Sequence, residues 1–123
     1  MKTVILSLML SLTAVGFAWG TPERGEASWY GETHRGRLMA NGKKFNPDQL
    51  TAASWFYPLG SRVTVSLNAP GKTRKAVTVR ITDRGPARDL VRDGRIIDLS
   101  RAAFVKLEAP DRGLVRVSVR RLK

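Results

Sequence analysis

Arg80-Ile81-Thr82-Asp83-Arg84-Gly85-Pro86 is the stretch of the 123-residue chain from which the rest can be read. An alternation typical of a half-buried strand runs into it, with Val77, Val79 and Ile81 apolar and Thr78, Arg80 and Thr82 polar. A carboxylate, Asp83, lands at the strand end beside Arg84, and Gly85-Pro86 stops the ladder there. A strand holds rigidly whatever sits at its tip. Asp83 is therefore expected at the rim of a scaffold, gripped by Arg84 and open to a ligand. A turn-and-salt-bridge role is the structural alternative.

Working outward, Arg62 to Leu67 alternates in the same way, with Val63, Val65 and Leu67 inward. Asn68 to Lys75, carrying Pro70-Gly71, reads as the basic hairpin loop between the two strands. Beyond Pro86, Ala87 to Gly94 is charged and reads as a loop. Arg95 to Ser100 gives a short strand with a second carboxylate, Asp98, which either faces Asp83 or caps the next helix. That helix spans Ser100 to Leu107, where Leu99, Ala103, Phe104 and Leu107 share a face. Leu114 to Arg121 closes the domain as a strand with Val115, Val117 and Val119 inward.

Upstream, Ala27-Ser28-Trp29-Tyr30-Gly31 is a strand-like run, its adjacent aromatics being core residues or a platform for sugar rings. His34, the single histidine, lies in a polar loop and reads as a surface residue with no partners at metal-ligand spacing. Asn41-Gly42 marks a turn. Pro47 to Ala53 reads as a short helix with Asn46 as N-cap. Trp55, Phe56 and Tyr57 cannot all face one core, so at least one is expected at the surface. Short strands, one or two short helices and one core indicate a mainly β domain closed into a barrel.

Residues 1–20 have the layout of a signal peptide: Met1-Lys2, an apolar run from Val4 to Val15, then Ala18-Trp19-Gly20 as a cleavage site. An uncleaved N-terminal anchor is the alternative. Residues 21–25 read as a flexible lead and 26–123 as the domain. With no cysteine, the chain has neither disulfides nor a lipidated thiol. The formal charge of +12 reads either as solubility with weak attraction to any polyanion or as a surface for nucleic acid, an anionic membrane or an anionic cell-wall polymer. Export disfavours nucleic acid; of the anionic partners then on offer, lipid headgroups and peptidoglycan, the second suits a soluble domain better.

The motifs Ala27-Ser28-Trp29-Tyr30-Gly31, Ala40-Asn41-Gly42, Leu50-Thr51-Ala52-Ala53, Pro58-Leu59-Gly60, Asp83-Arg84-Gly85-Pro86 and Arg95-Ile96-Ile97-Asp98-Leu99-Ser100 together resemble the rare lipoprotein A (RlpA) family. The resemblance implies a six-stranded double-psi β-barrel, more distantly similar to expansin barrels. It implies a secreted or periplasmic lytic transglycosylase, acting without cofactor or metal on peptidoglycan strands stripped of stem peptides. Asp83 matches the family's catalytic aspartate. Trp29, Tyr30, Asn41, Lys43, Ser54, Arg84 and Asp98 are the expected substrate-binding residues, with Trp55 to Tyr57 at a rim. Two positions depart from the family: Lys43 stands where it carries glutamate, and Ser54 where it carries histidine. Those departures favour a second reading, a non-catalytic expansin-like module that holds cell-wall glycan. A third, a protein-binding effector, has no specific residue in its favour. The domain is expected to be a monomer, with no stable membrane insertion once the signal peptide is removed.

Overall fold

The computed structural model describes residues 23–69 and 75–123. The segments read as a signal peptide (1–20) and as most of the loop between Asn68 and Lys75 lie outside them. Six strands form a closed barrel: β1 (Glu23–Tyr30), β2 (Thr51–Ala53), β3 (Arg62–Leu67), β4 (Ala76–Asp83), β5 (Arg95–Ser100) and β6 (Val115–Arg121). Around the barrel the order is β1-β5-β2-β4-β3-β6. The β1/β5 and β2/β4 ladders are parallel and the other four antiparallel. Among the described residues, two helical segments, α1 (Arg88–Arg92) and α2 (Arg101–Phe104), complete the fold with 3₁₀ turns at Glu32–His34 and Pro110–Arg112.

The alternating patterns place the core. Val63, Val65, Val77, Val79, Ile81, Val117 and Val119 project into the barrel, where Ile97, Leu99 and Ala52 meet them. Burying each of these larger aliphatic side chains contributes about 1.5–3 kcal/mol. Phe104 and Leu107 are fully buried as expected, but the helix expected over Ser100 to Leu107 is shorter: α2 ends at Phe104, and Leu107 follows in a turn closed by its N–H to Phe104 O at 2.8 Å. The N-cap of α2 is Ser100, whose Oγ accepts from the Ala103 N–H at 3.2 Å. Asp98 is therefore not the cap; it sits two residues too early and belongs to β5.

Three local expectations give way. Glu23 to Gly25 are not a loose lead but the start of β1, in register with Val119, Ser118 and Val117 of β6. No helix forms over Pro47 to Ala53: Asn46 Oδ1 takes the Asp48 N–H at 2.9 Å in a tight turn, and Thr51–Ala53 pairs with β4 and β5. Sheet pairing on both sides overrides the local cap signal. Ala87 to Gly94 holds the single-turn helix α1, which packs against β5 through half-buried Leu90 and Val91. No side-chain cap marks its start.

Candidate functional site: a carboxylate row on the barrel's outer wall

Four residues on four adjacent strands are register partners in sequence: Ser28 on β1, Asp98 on β5, Ala53 on β2 and Asp83 on β4. Ala27, Ile97, Leu99 and Ala52, which flank Ser28, Asp98 and Ala53 in the chain, point into the core, so the row lies on the outer wall. Adjacent strands are about 4.8 Å apart, which sets the Asp83 and Asp98 Cα atoms roughly 10 Å apart with only the Ala53 methyl between them. A Cβ added at Gly85 would stand 3.4 Å from Ala53 Cβ and 3.5 Å from Asp98 Oδ2, so the turn after Asp83 folds back over the row.

Strict alternation would turn Asp83 inward, since Ile81 faces the core. A β-bulge prevents this: Ala52 pairs with Ile81 and Ala53 with Asp83, leaving Thr82 as the extra residue. Bulges re-aim side chains in this way beside functional sites.

Asp83 is held by main chain. Its Oδ1 accepts the Ala40 N–H at 2.9 Å and the Arg84 N–H at 2.8 Å, leaving Oδ2 with no hydrogen-bond partner among the described residues. The Ala40 contact comes from the tip of a small hairpin over 37–45, closed by the Leu38–Lys44 bridge and the Phe45 N–H to Arg37 O bond. Asn41 N–H to Thr82 O at 3.2 Å docks the same tip on β4. Gly42, at φ 86°, supplies the left-handed turn residue. The Arg84 guanidinium does not grip Asp83. It donates to the carbonyls of Ser54 (2.7 Å) and Tyr57 (2.6 Å), tying the aromatic segment to the turn.

Asp98 is more enclosed. Burial pushes its carboxyl pKa up, against the opposing pull of the Ser28 hydroxyl, which donates to Oδ1, and of Arg95 and His34. Tyr30 lies by both carboxylates. Its ring stacks on Phe45 (centroids 4.3 Å, 16° between planes) and meets His34 edge-on at 5.4 Å. Its hydroxyl is buried without a partner, and burial, then the charges of Asp83 and Asp98, push its pKa up. Tyr30, His34, Met39, Phe45 and Asp83 line a pocket of about 220 Å³. His34 is thus part of the opening rather than a bystander on the surface. Only its position four residues after Tyr30, at the end of a 3₁₀ turn, hints at this in the sequence.

The remaining expected residues divide. Asn41 and Lys43 are exposed, Asn41 Oδ1 accepting the Lys43 N–H at 2.9 Å, and they line the adjoining groove rather than the Asp83 pocket. Trp29 donates to Pro110 O at 2.9 Å and packs on Phe104, which makes it a wedge between the barrel and α2. Ser54 is fully buried, donating to Ile96 O and accepting from Phe56 N–H, both at 3.1 Å. Of the three consecutive aromatics, Tyr57 is buried and Trp55 is 42% exposed, with the Arg88 guanidinium 4.7 Å above its ring.

A closed six-stranded barrel with two parallel ladders, its carboxylates set on the outer wall beneath a docked hairpin, is a double-psi β-barrel domain. Residues 22–119 match the family described as lytic transglycolase, and the chain belongs to that family. It is 40% identical over 100 residues to the endolytic peptidoglycan transglycosylase RlpA of Vibrio cholerae, covering 81% of this chain and 35% of that protein. The chain therefore spans about a third of that relative. Among solved structures, the Streptomyces papain inhibitor is similar at TM-score 0.63 and 26% identity, covering 85% of this chain and 97% of the inhibitor. A Clavibacter michiganensis expansin variant solved with cellohexaose shares the fold at TM-score 0.60 and 18% identity, covering 84% of this chain and 51% of the expansin.

Proposed function

We propose that this domain acts on peptidoglycan outside the cytoplasm as an endolytic lytic transglycosylase, cleaving β-1,4 links between N-acetylmuramic acid and N-acetylglucosamine with Asp83 as acid and base. The observation that carries the reading is Asp83 itself: Oδ1 fixed by two N–H groups, Oδ2 unpartnered among the described residues, in a pocket beside Tyr30 with Asp98 two strands away. The protonated Asp83 carboxyl gives its proton to the glycosidic oxygen as the C1–O bond breaks. The sugar's own C6 hydroxyl then closes on C1, and the Asp83 carboxylate takes its proton. No water needs activating, so one carboxyl suffices where two-step hydrolysis needs a pair. Lys43, which replaces the family's glutamate, lines the neighbouring groove and leaves the Asp83 pocket free of its charge. Asp98 and Tyr30 contact the bound sugar. Residues 1–20 act as the export signal and the domain works as a monomer.

The test is digestion of denuded sacculi by the wild type and Asp83→Asn. Anhydro-sugar release is expected to fall by about 10²–10⁴ in the variant. Release unchanged in Asp83→Asn would remove Asp83 from the mechanism. A second reading rests on Ser54: where the family carries histidine, this chain has a buried hydroxyl that faces Ile96 rather than the opening. Salt-sensitive retention on sacculi by the wild type, with no anhydro product, would make the domain a glycan-binding module instead.

A further inference from the structure

The groove on the other side of the 37–45 hairpin is larger than the Asp83 pocket, about 610 Å³, and shares its Met39 and Phe45 walls. None of the residues lining this groove is acidic. Its cations include Lys43, Lys44 and Arg80, and none of these three enters an ion pair among the described residues, whereas Arg35 at the edge is committed to Glu32 (2.6 Å) and Asp48 (3.0 Å). Arg80 is steadied by one bond to Gly60 O at 2.9 Å, which leaves most of its five donors unused.

A second observation points independently to a ligand. Thr51 and Thr82 are more than nine-tenths buried, both line the groove, and both hydroxyls lack a partner. An unpaired buried hydroxyl costs about 1–3 kcal/mol, so two in one wall are out of place unless something outside the chain pairs with them. Thr51 is the register partner of Arg80, and Thr82 is the extra residue of the bulge. Both threonines thus lie in the same stretch of groove wall as Arg80, with their hydroxyls just beneath its surface. Donors of this kind, with no carboxylate among them, suit an anionic oxygen group on a polar chain.

We infer that this groove binds a carboxylate pendant on the glycan strand, with Lys43, Lys44 and Arg80 supplying charge and Thr51 and Thr82 supplying hydrogen bonds. The inference rests on the peptidoglycan reading. Two sources offer that carboxylate: the free lactyl group of a stripped strand, and the acidic residues of a stem peptide. The groove then makes the domain a reader of charge on the strand, at a site separate from the bond it cuts.

Binding is measured by equilibrium retention of Asp83→Asn protein, whose cleavage of the probe is expected to be slow, on five materials. These are denuded strands, peptide-bearing strands, each of these with its carboxyls amidated, and a neutral N-acetylglucosamine oligomer. Amidation is expected to weaken retention about tenfold, the scale of one charge-assisted contact. Whichever unamidated strand binds tighter identifies the source. Lys44→Gln with Arg80→Gln should erase the difference between native and amidated strands. Thr82→Val should weaken binding while leaving Tm equal or higher; a hydroxyl serving the fold would instead lower Tm. Equal retention of native and amidated strands, or a preference that survives the double variant, overturns the inference. Tighter binding of a phosphodiester polymer than of either strand, lost in the double variant, overturns the carboxylate assignment in favour of phosphate. Cleavage by the otherwise wild-type chain is scored separately, so an inactive enzyme that still prefers charged strands refutes the catalytic reading and keeps this one.

Discussion

Asp83 and Asp98 occupy the same row yet live in different surroundings, and the difference is measurable. Asp98 is enclosed, and burial raises its carboxyl above the ordinary value of 3.8 despite Ser28, Arg95 and His34. A carboxyl easier to protonate in the folded chain than in the unfolded one favours folding fully at low pH. That contribution is lost as pH rises from 3.8 through the folded value. Asp98→Asn keeps the shape and removes the charge. Its Tm is expected above that of the wild type at about pH 7, with the gap closing by about pH 3. A Tm below the wild type throughout would mean that the Ser28 contact outweighs the burial cost. At this scale the sequence was readable for Asp83, because an alternating strand ending in Asp-Arg-Gly-Pro announces itself. It was unreadable for Arg84, whose guanidinium found two carbonyls 27 and 30 residues away in the chain. The inward turn of Ser54 was equally hidden, since a serine's rotamer is set by neighbours that only the fold supplies.

Among the elements, the strands with one face on the core were legible and those held by pairing alone were not. β3, β4 and β6 carry Val, Ile and Leu at every second position, and their limits fall within a residue of the pattern. β2 is three residues long and is held by ladders to both β4 and β5, so its local sequence, which favours a turn of helix, is overruled. The bulges were invisible as well, although one leaves a trace: Ile96 and Ile97 are both buried because Ile96 is the extra residue opposite Glu26 and Ala27. The junction of β5 and α2 depends on Ser100, fully buried. Its Oγ donates to Gln49 O at 2.6 Å while accepting from Ala103 N–H and, at 3.4 Å, Thr51 N–H. Ser100→Ala removes a cap and strands those groups, and should cost about 1–3 kcal/mol in urea denaturation. A loss under about 0.5 kcal/mol would mean that the loop over 46–50 relaxes to find other partners.

For the whole molecule, the charge of +12 was plain from composition, and its placement was not. Arg62 and Arg80 stand directly opposite each other on the outer wall of β3 and β4, an arrangement that costs stability in an isolated domain. With cations on that wall and in the groove, retention on sacculi should drop steeply between about 50 mM and about 500 mM salt, as the screening length shortens. Pelleting assays read this directly, and retention indifferent to salt would assign the affinity to ring stacking and neutral hydrogen bonds. The strand order has a consequence of a different kind. Of the six ladders, only β3/β4 joins neighbours in the chain, and β1 is zipped on one side to β5 and on the other to β6, the last strand. β1 therefore has nothing to pair with until β5 (Arg95–Ser100) has been made, and its second ladder waits for β6. Such a topology, built from pairings distant in the chain, folds slowly and late, once most of the domain has been synthesised.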